Sequence, residues 1–252
     1  MISQIDAGHI KIEKHSGITS IEFFHPKSNS LPGRLLEELA KEIHSAGHDE
    51  DTKVILLRSQ GEKTFCAGAS FDELQSIKDK EQGTQFFSGF AKVINAMRKC
   101  PQFIVARVQG KCVGGGVGLV AAADYVIAMN GADIKLSELE IGIGPFVVGP
   151  VIERKIGISA FSQLAIDATL WRNADWARKK GLYAELHDNT EAMDESIRRL
   201  TTHLAHANPA AVKEMKKIFW KGTDDWDQLL LERAAISGRL ILSEFSKKAL
   251  HK

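Results

Sequence analysis

The chain has 252 residues, an apolar fraction of 44% and a formal net charge of +1. At roughly 150 residues per domain that is one large domain with at most a small appendage. So even a charge balance gives no overall field for nucleic acid or an anionic membrane, and neither is expected as a partner.

The three cysteines, Cys66, Cys100 and Cys112, are too sparse for a disulfide framework and suit a reducing compartment. The N-terminal stretch has no apolar signal core, and no apolar run of about 18 residues occurs. A cytoplasmic protein without a membrane span is expected. In chain order, residues 10–13 and 18–24 read as paired strands around His15-Ser16-Gly17, and His25 to Ser30 has loop chemistry. Leu35, Leu36, Leu39, Ile43 and Ala46 then recur at helical spacing over residues 31–46. Residues 54–57 read as a buried strand. Ser70 and Glu73 fit a capping box that opens a helix. Residues 78–83 are charged and expected to be mobile. Phe86, Phe87, Phe90, Val93, Ile94 and Met97 mark another amphipathic helix, and residues 103–108 and 125–129 two more strands. Beyond residue 158 only helices are expected, over 159–169, 174–181, 194–207, 209–220 and 225–250. Alternating strands and helices argue an α/β core followed by a helical C-terminal region.

Three segments carry chemistry. Thr64-Phe65-Cys66-Ala67-Gly68-Ala69-Ser70 and Val113-Gly114-Gly115-Gly116-Val117-Gly118 each join a β-like run to a helix start. Such junctions leave backbone N–H groups free to meet a ligand oxygen. Two of them converging on one carbonyl make an oxyanion hole, and a nearby carboxylate can then move protons on the polarised substrate. Glu138, in Leu136-Ser137-Glu138-Leu139-Glu140-Ile141-Gly142, has apolar neighbours; if buried, its pKa rises toward the range of a general base. Taken alone, Glu138 reads as a surface residue at a strand end, as Glu140 does. The triple glycine alone reads equally as a tight packing turn. It fails the dinucleotide fingerprint at Leu119, and a Walker loop fails at Val105 and Cys112. Cys66 reads as a buried small hydrophobe rather than a nucleophile. His203 and His206 lack further ligands nearby, so no metal is expected.

Together these segments resemble the enoyl-CoA hydratase/isomerase (crotonase) superfamily from about residue 10 to 250. The motifs are Pro26-Lys27-Ser28-Asn29-Ser30-Leu31, Phe65 to Ala69, the triple glycine, Ala122-Ala123-Asp124, Ser137 to Gly142 and Gly181 to Leu186. The resemblance implies a spiral of ββα units over residues 1–195 and a helical trimerisation region over 196–252. It implies homotrimers or dimers of trimers. The oxyanion donors would be the N–H groups of Ala69 and Gly115. The acyl-CoA substrate would lie against Ala67, Gly68, Ala69 and Gly115, with its adenine near Ala67. No cofactor is implied beyond the coenzyme A of the thioester. Glu138 would be the general acid/base.

The family's first glutamate falls at Gly118, so the two-carboxylate site of the best-known hydratases is missing. A finer likeness, through Gly114 to Leu119, Leu136-Ser137-Glu138, Pro145 to Val148 and Ile156-Gly157, is to bacterial methylglutaconyl-CoA hydratases. The segment Phe146-Val147-Val148-Gly149-Pro150 matches that group in part. The function implied is hydration or dehydration of an α,β-unsaturated acyl-CoA. A Δ3–Δ2 isomerase using Glu138 alone and a non-catalytic CoA-binding protein are the alternatives. Lys216, Lys217, Lys247 and Lys248 are candidates to meet the CoA phosphates, each otherwise a solvated lysine.

Overall fold

The computed structural model describes Ile5 and residues 7–251. Strands β1 (His9–His15) and β2 (Ile18–Phe24) pair antiparallel around Ser16-Gly17. Thr19, Ile21 and Phe23 of β2 are buried, the period of two expected of a strand with one face in the core. Helix α1 (Gly33–His48) buries the predicted stripe of Leu35, Leu36, Leu39, Ile43 and Ala46. Each fully buried leucine there contributes about 1.5–3 kcal/mol. The helix starts later than the spacing predicts. Leu31 is extended and bridges Ala69, and Pro32 takes the cap position.

Three units of two strands and a helix follow. The first is β3 (Val54–Ser59), β4 (Thr64–Cys66), then α2 (Phe71–Ser76) and α3 (Lys80–Lys99). The second is β5 (Phe103–Val108), β6 (Lys111–Val113) and α4 (Gly115–Ala122). The third is β7 (Tyr125–Met129), β8 (Ile134–Lys135), a 3-10 turn (Glu138–Ile141) and α5 (Gly149–Ile166). The first strand of each unit joins a six-stranded sheet ordered β1-β2-β3-β5-β7-β9, where β9 is Glu185–His187. The second joins a three-stranded sheet ordered β4-β6-β8, parallel throughout. Each unit advances both sheets by one strand, which makes a spiral of ββα units.

Several expectations need correcting. The strands do not stop before residue 158, since β9 pairs in parallel with β7. Residues 78–83 are not a loop throughout. Asp79 caps α3 by accepting from the Gln82 N–H at 2.9 Å, so Lys80 already belongs to the helix. The Ser70 hydroxyl accepts from the Glu73 N–H, as the capping box requires. The return half differs: the Ser70 N–H donates to the Leu31 carbonyl, while Glu73 Oε2 accepts from Gly33 N–H at 2.7 Å and caps α1 across the chain.

The remaining helices are α6 (Ala174–Lys179), α7 (Thr190–Ala205), α8 (Pro209–Phe219), α9 (Trp226–Leu240) and α10 (Glu244–Leu250). The single helix expected over 225–250 is therefore two. Ser243 breaks it and caps α10, accepting from Ser246 N–H at 3.2 Å. Helix α9 lies along α3 at a glycine crossing, where a Cβ on Gly83 would sit 2.8 Å from Gly238 Cα. Helix α10 packs on α2 and on the 3-10 turn. Among the described residues no helix is long and apolar enough to cross a membrane.

Candidate active site

The three chemically interesting segments occupy equivalent places. Ala69 follows β4, Gly115 follows β6 and Glu138 follows β8, and these are the three neighbouring strands of the small sheet. The parallel sheet thus delivers all three segments to one edge.

Close backbone approach there depends on two glycines. Gly68 has φ 84°, and a Cβ on it would lie 2.7 Å from the Val113 carbonyl oxygen and 3.2 Å from Gly115 N. Gly114, at φ 51°, faces Glu138; a Cβ would lie 2.9 Å from Glu138 Oε1. Both conformations are costly for any residue with a side chain. Around them the N–H groups of Ala67, Gly68 and Gly114 are engaged, by Ser28 O, Cys66 Sγ and Lys135 O. The N–H groups of Ala69 and Gly115 donate to no other group among the described residues. Gly115 N–H is in the first turn of α4, where intrahelical partners are missing and the helix dipole favours negative charge.

Glu138 opens the 3-10 turn. The turn is held by Ile143 N–H to Glu138 O and by Gly142 N–H to Leu139 O, both 3.1 Å. The residue is partly exposed as a whole, but its Oε2 is buried and has no hydrogen-bond partner. Burial of the carboxylate pushes its pKa up to about 7, against the pull of its own backbone N–H. Glu140 is exposed, and it pairs with Lys135 at 2.6 Å.

A cleft joins these groups. Ala69, Gly115 and Glu138 line it, together with apolar walls from Phe87 and Phe90 of α3 and Val147 and Val148 ahead of α5. Its volume is about 80 Å³. Glu138 is the one titratable side chain among the described residues that line it. Such a cleft can hold an oxyanion at two backbone donors and move a proton with one carboxyl group.

The missing first glutamate has a structural counterpart. Gly118 is buried in α4, and a Cβ there would lie 2.7 Å from Val148 Cβ, with Val148 Cγ1 nearer still. Val148 fills the space into which a side chain at 118 would grow. Nothing in the residue order signals this contact across thirty positions.

Other candidates resolve simply. Cys66 is fully buried and burial pushes its thiol up to about 12, so the reactive thiolate is absent near neutral pH. His203 and His206 are exposed on α7 and at its end. Lys216 is not a solvated lysine. Its ammonium is buried and donates to Asp124 Oδ2 at 2.5 Å. Lys217 and Lys247 pair with Glu214 and Glu244 on their own helices. Sequence reasoning missed Ser237 of α9, which also lines the cleft; only the α3–α9 contact brings it there.

The sequence profile described as Enoyl-CoA hydratase/isomerase matches residues 13–250. A hydrolase of a (7aS)-7a-methyl-1,5-dioxo-hexahydroindene-carboxyl-CoA from Rhodococcus jostii is 36% identical over 126 residues, 50% of this chain and 48% of that protein. The match thus spans about half the length of that relative. The short-chain-enoyl-CoA hydratase of Clostridium acetobutylicum is 26% identical over 98% of this chain and 94% of its own. The crystal structure of an enoyl-CoA hydratase from Bacillus halodurans superposes with a TM-score of 0.88 at 20% identity, covering 96% of this chain and 98% of that one. At that identity it speaks for the fold alone. With the profile covering nearly the whole chain and the spiral of ββα units shared, this chain belongs to the enoyl-CoA hydratase/isomerase family.

Proposed function

We propose that this chain adds water to, or removes it from, an α,β-unsaturated acyl-CoA thioester, with Glu138 as its single acid/base. The observation that carries the reading is the buried Glu138 carboxylate, unpartnered at Oε2 and half-protonated near neutral pH. The thioester carbonyl oxygen lies between the N–H groups of Ala69 and Gly115. One Glu138 oxygen takes a proton from water as the hydroxyl oxygen bonds to the β-carbon. The π electrons move onto the thioester oxygen as an enolate, which the two donors stabilise; one such donor is typically worth about 3–4 kcal/mol. The carboxyl group then returns a proton to the α-carbon. The sum is addition of one water, with Glu138 restored.

The acyl group first to be tested is 3-methylglutaconyl, on the motif likeness given above. Ala67 and Gly68, beside the thioester, are proposed to meet the CoA moiety. Ile158, Ile166 and Ile218 are 61, 75 and 69% exposed. A homotrimer or dimer of trimers, with the helices of residues 196–252 contributing, is proposed on the family resemblance, and these exposed side chains are available to such an interface.

One observation favours a second reading. Val148 fills the space that a side chain at 118 would enter, and among the described residues no carboxylate but Glu138 lines the cleft, so no second acid is there to help hold a water. A Δ3–Δ2 isomerase needs none, since one carboxylate moves a proton between the α- and γ-carbons. Turnover of crotonyl-CoA, 3-enoyl-CoA and 3-methylglutaconyl-CoA, read by mass, decides. A product heavier by one water establishes hydration; a moved double bond at unchanged mass establishes isomerisation. Binding of all three without conversion leaves a non-catalytic CoA-binding protein.

A further inference from the structure

The cleft contains a second polar group that the proposed chemistry does not use. Ser237 is 2% exposed and lines the cleft from α9, beside the Gly83–Gly238 crossing. Its carbonyl accepts from Ile241 N–H, as in any helix, but its hydroxyl has no hydrogen-bond partner among the described residues. Other buried hydroxyls nearby are engaged. Ser246 donates to Leu240 O at 3.0 Å, and Ser88 donates to Gln85 O at 2.6 Å. Ser237 Oγ is not among the buried unpartnered atoms, so it opens to the cleft, where a hydroxyl that makes no bond within the chain can donate to a group on a ligand.

Besides Ser237, the polar side chains lining the cleft are Ser137 and Glu138, both on the β8 side. The rest of the wall beside Ser237 is aromatic, from Phe87 and Phe90. Phe90 packs against Gly115, so this wall runs from the proposed oxyanion donors toward α9. Ala69, Gly115 and Ser237 line one cleft, so an acyl group held at the two N–H groups shares that space with Ser237. We infer that Ser237 is a specificity residue: its hydroxyl donates to an oxygen on the acyl group, away from the thioester. The substrate is therefore an acyl-CoA bearing a hydrogen-bond acceptor rather than a plain hydrocarbon chain. The inference rests on the acyl-thioester reading above and deepens it. A site that donates a hydrogen bond to its substrate discriminates against analogues lacking the acceptor more sharply than an apolar pocket discriminates by size.

The test uses three saturated thioesters that cannot undergo hydration or isomerisation: pentanoyl-CoA, levulinyl-CoA with a ketone at the fourth carbon, and glutaryl-CoA with a terminal carboxylate. Calorimetry with the intact protein gives their dissociation constants. Levulinyl-CoA or glutaryl-CoA should bind about tenfold tighter than pentanoyl-CoA, the effect of one good hydrogen bond. In Ser237→Ala that ratio should fall to about one. The ratio is taken within one protein sample, so a loss of folded fraction does not alter it. The tighter of the two oxygenated ligands tells a ketone-type from a carboxylate-type acyl group. Equal binding of all three thioesters by the wild type, or a ratio unchanged in Ser237→Ala, overturns the inference while leaving the acyl-CoA reading standing. Failure of the folded protein to bind any of the three overturns both.

Discussion

Two buried carboxylates in this chain have opposite surroundings. Asp124, between α4 and β7, is saturated. Its oxygens accept from Ile104 N–H at 2.8 Å, Lys216 Nζ at 2.5 Å and Trp220 Nε1 at 3.3 Å. Glu138 has an oxygen buried with no partner at all. The first arrangement ties α8 to the end of the large sheet. The second leaves one carboxylate oxygen buried without a partner, with only the residue's own backbone N–H to favour the charge. A buried carboxylate that the fold satisfies does structural work, while one left unsatisfied beside two free N–H groups is available to a substrate.

Replacing each residue should break the comparison in different directions. Glu138→Gln keeps the shape and removes the proton carrier. Turnover of the best enoyl-CoA should fall about 10²–10⁴-fold, the usual contribution of a general acid/base, with thermal stability kept or raised. Full turnover in that variant would remove Glu138 from the chemistry. Asp124→Ala leaves the Lys216 ammonium buried without its partner, and should cost about 3–5 kcal/mol of stability in urea unfolding. Its effect on kcat per folded molecule should be small. Substituting Lys216→Met as well should recover much of the loss, since no buried charge is then left unpaired.

The pH dependence sharpens the contrast. The folded Glu138 pKa of about 7 lies above the usual 4.5. Between those values the folded state keeps a proton that the unfolded chain has released, so this group lowers stability progressively as pH rises from 4.5 to 7. The penalty is absent below 4.5 and constant above 7, and amounts to at most about 3 kcal/mol. Urea midpoints for wild type and Glu138→Gln across that window should therefore diverge, with the variant gaining as pH rises. Parallel curves would mean the carboxylate is not desolvated. Activity should show the same group: in the hydration direction kcat/KM falls below a midpoint near pH 7, where the base form is lost.

The parts of the fold set by local pattern were legible. The spacing of Leu35, Leu36, Leu39 and Ile43 predicts α1, and the apolar runs at 103–108 and 125–129 match β5 and β7. The small sheet was not, because β4, β6 and β8 have three, three and two residues, too short for alternation to register. The ββα repeat is hidden for a related reason: α2 and α3 lengthen one unit while α4 keeps the next short. Ala69, Gly115 and Glu138 could be named from motifs, but their convergence on one sheet edge is a property of parallel pairing. Gln82 accounts for one error, since the Asp79 cap on its N–H makes a helix start of a stretch whose charges suggest a loop.

The smallest predicted effect concerns Gly118. At Gly118 a methyl group would press on Val148, which has replaced the space rather than left it open. Gly118→Ala would usually gain helix propensity of about 1 kcal/mol inside a helix. Here overpacking should outweigh it and leave a net loss of about 1–2 kcal/mol. Trimming the obstacle should reverse the sign. In the Val148→Ala background, Gly118→Ala fills part of the cavity that the valine leaves and should be stabilising. A double-mutant cycle in urea measures the coupling directly, and additive effects would show that the two residues do not touch. The same geometry sets the order for placing a glutamate here: every carbon of a longer side chain at 118 grows into Val148, so Gly118→Glu should be far more costly than Gly118→Ala unless Val148 is cut back first.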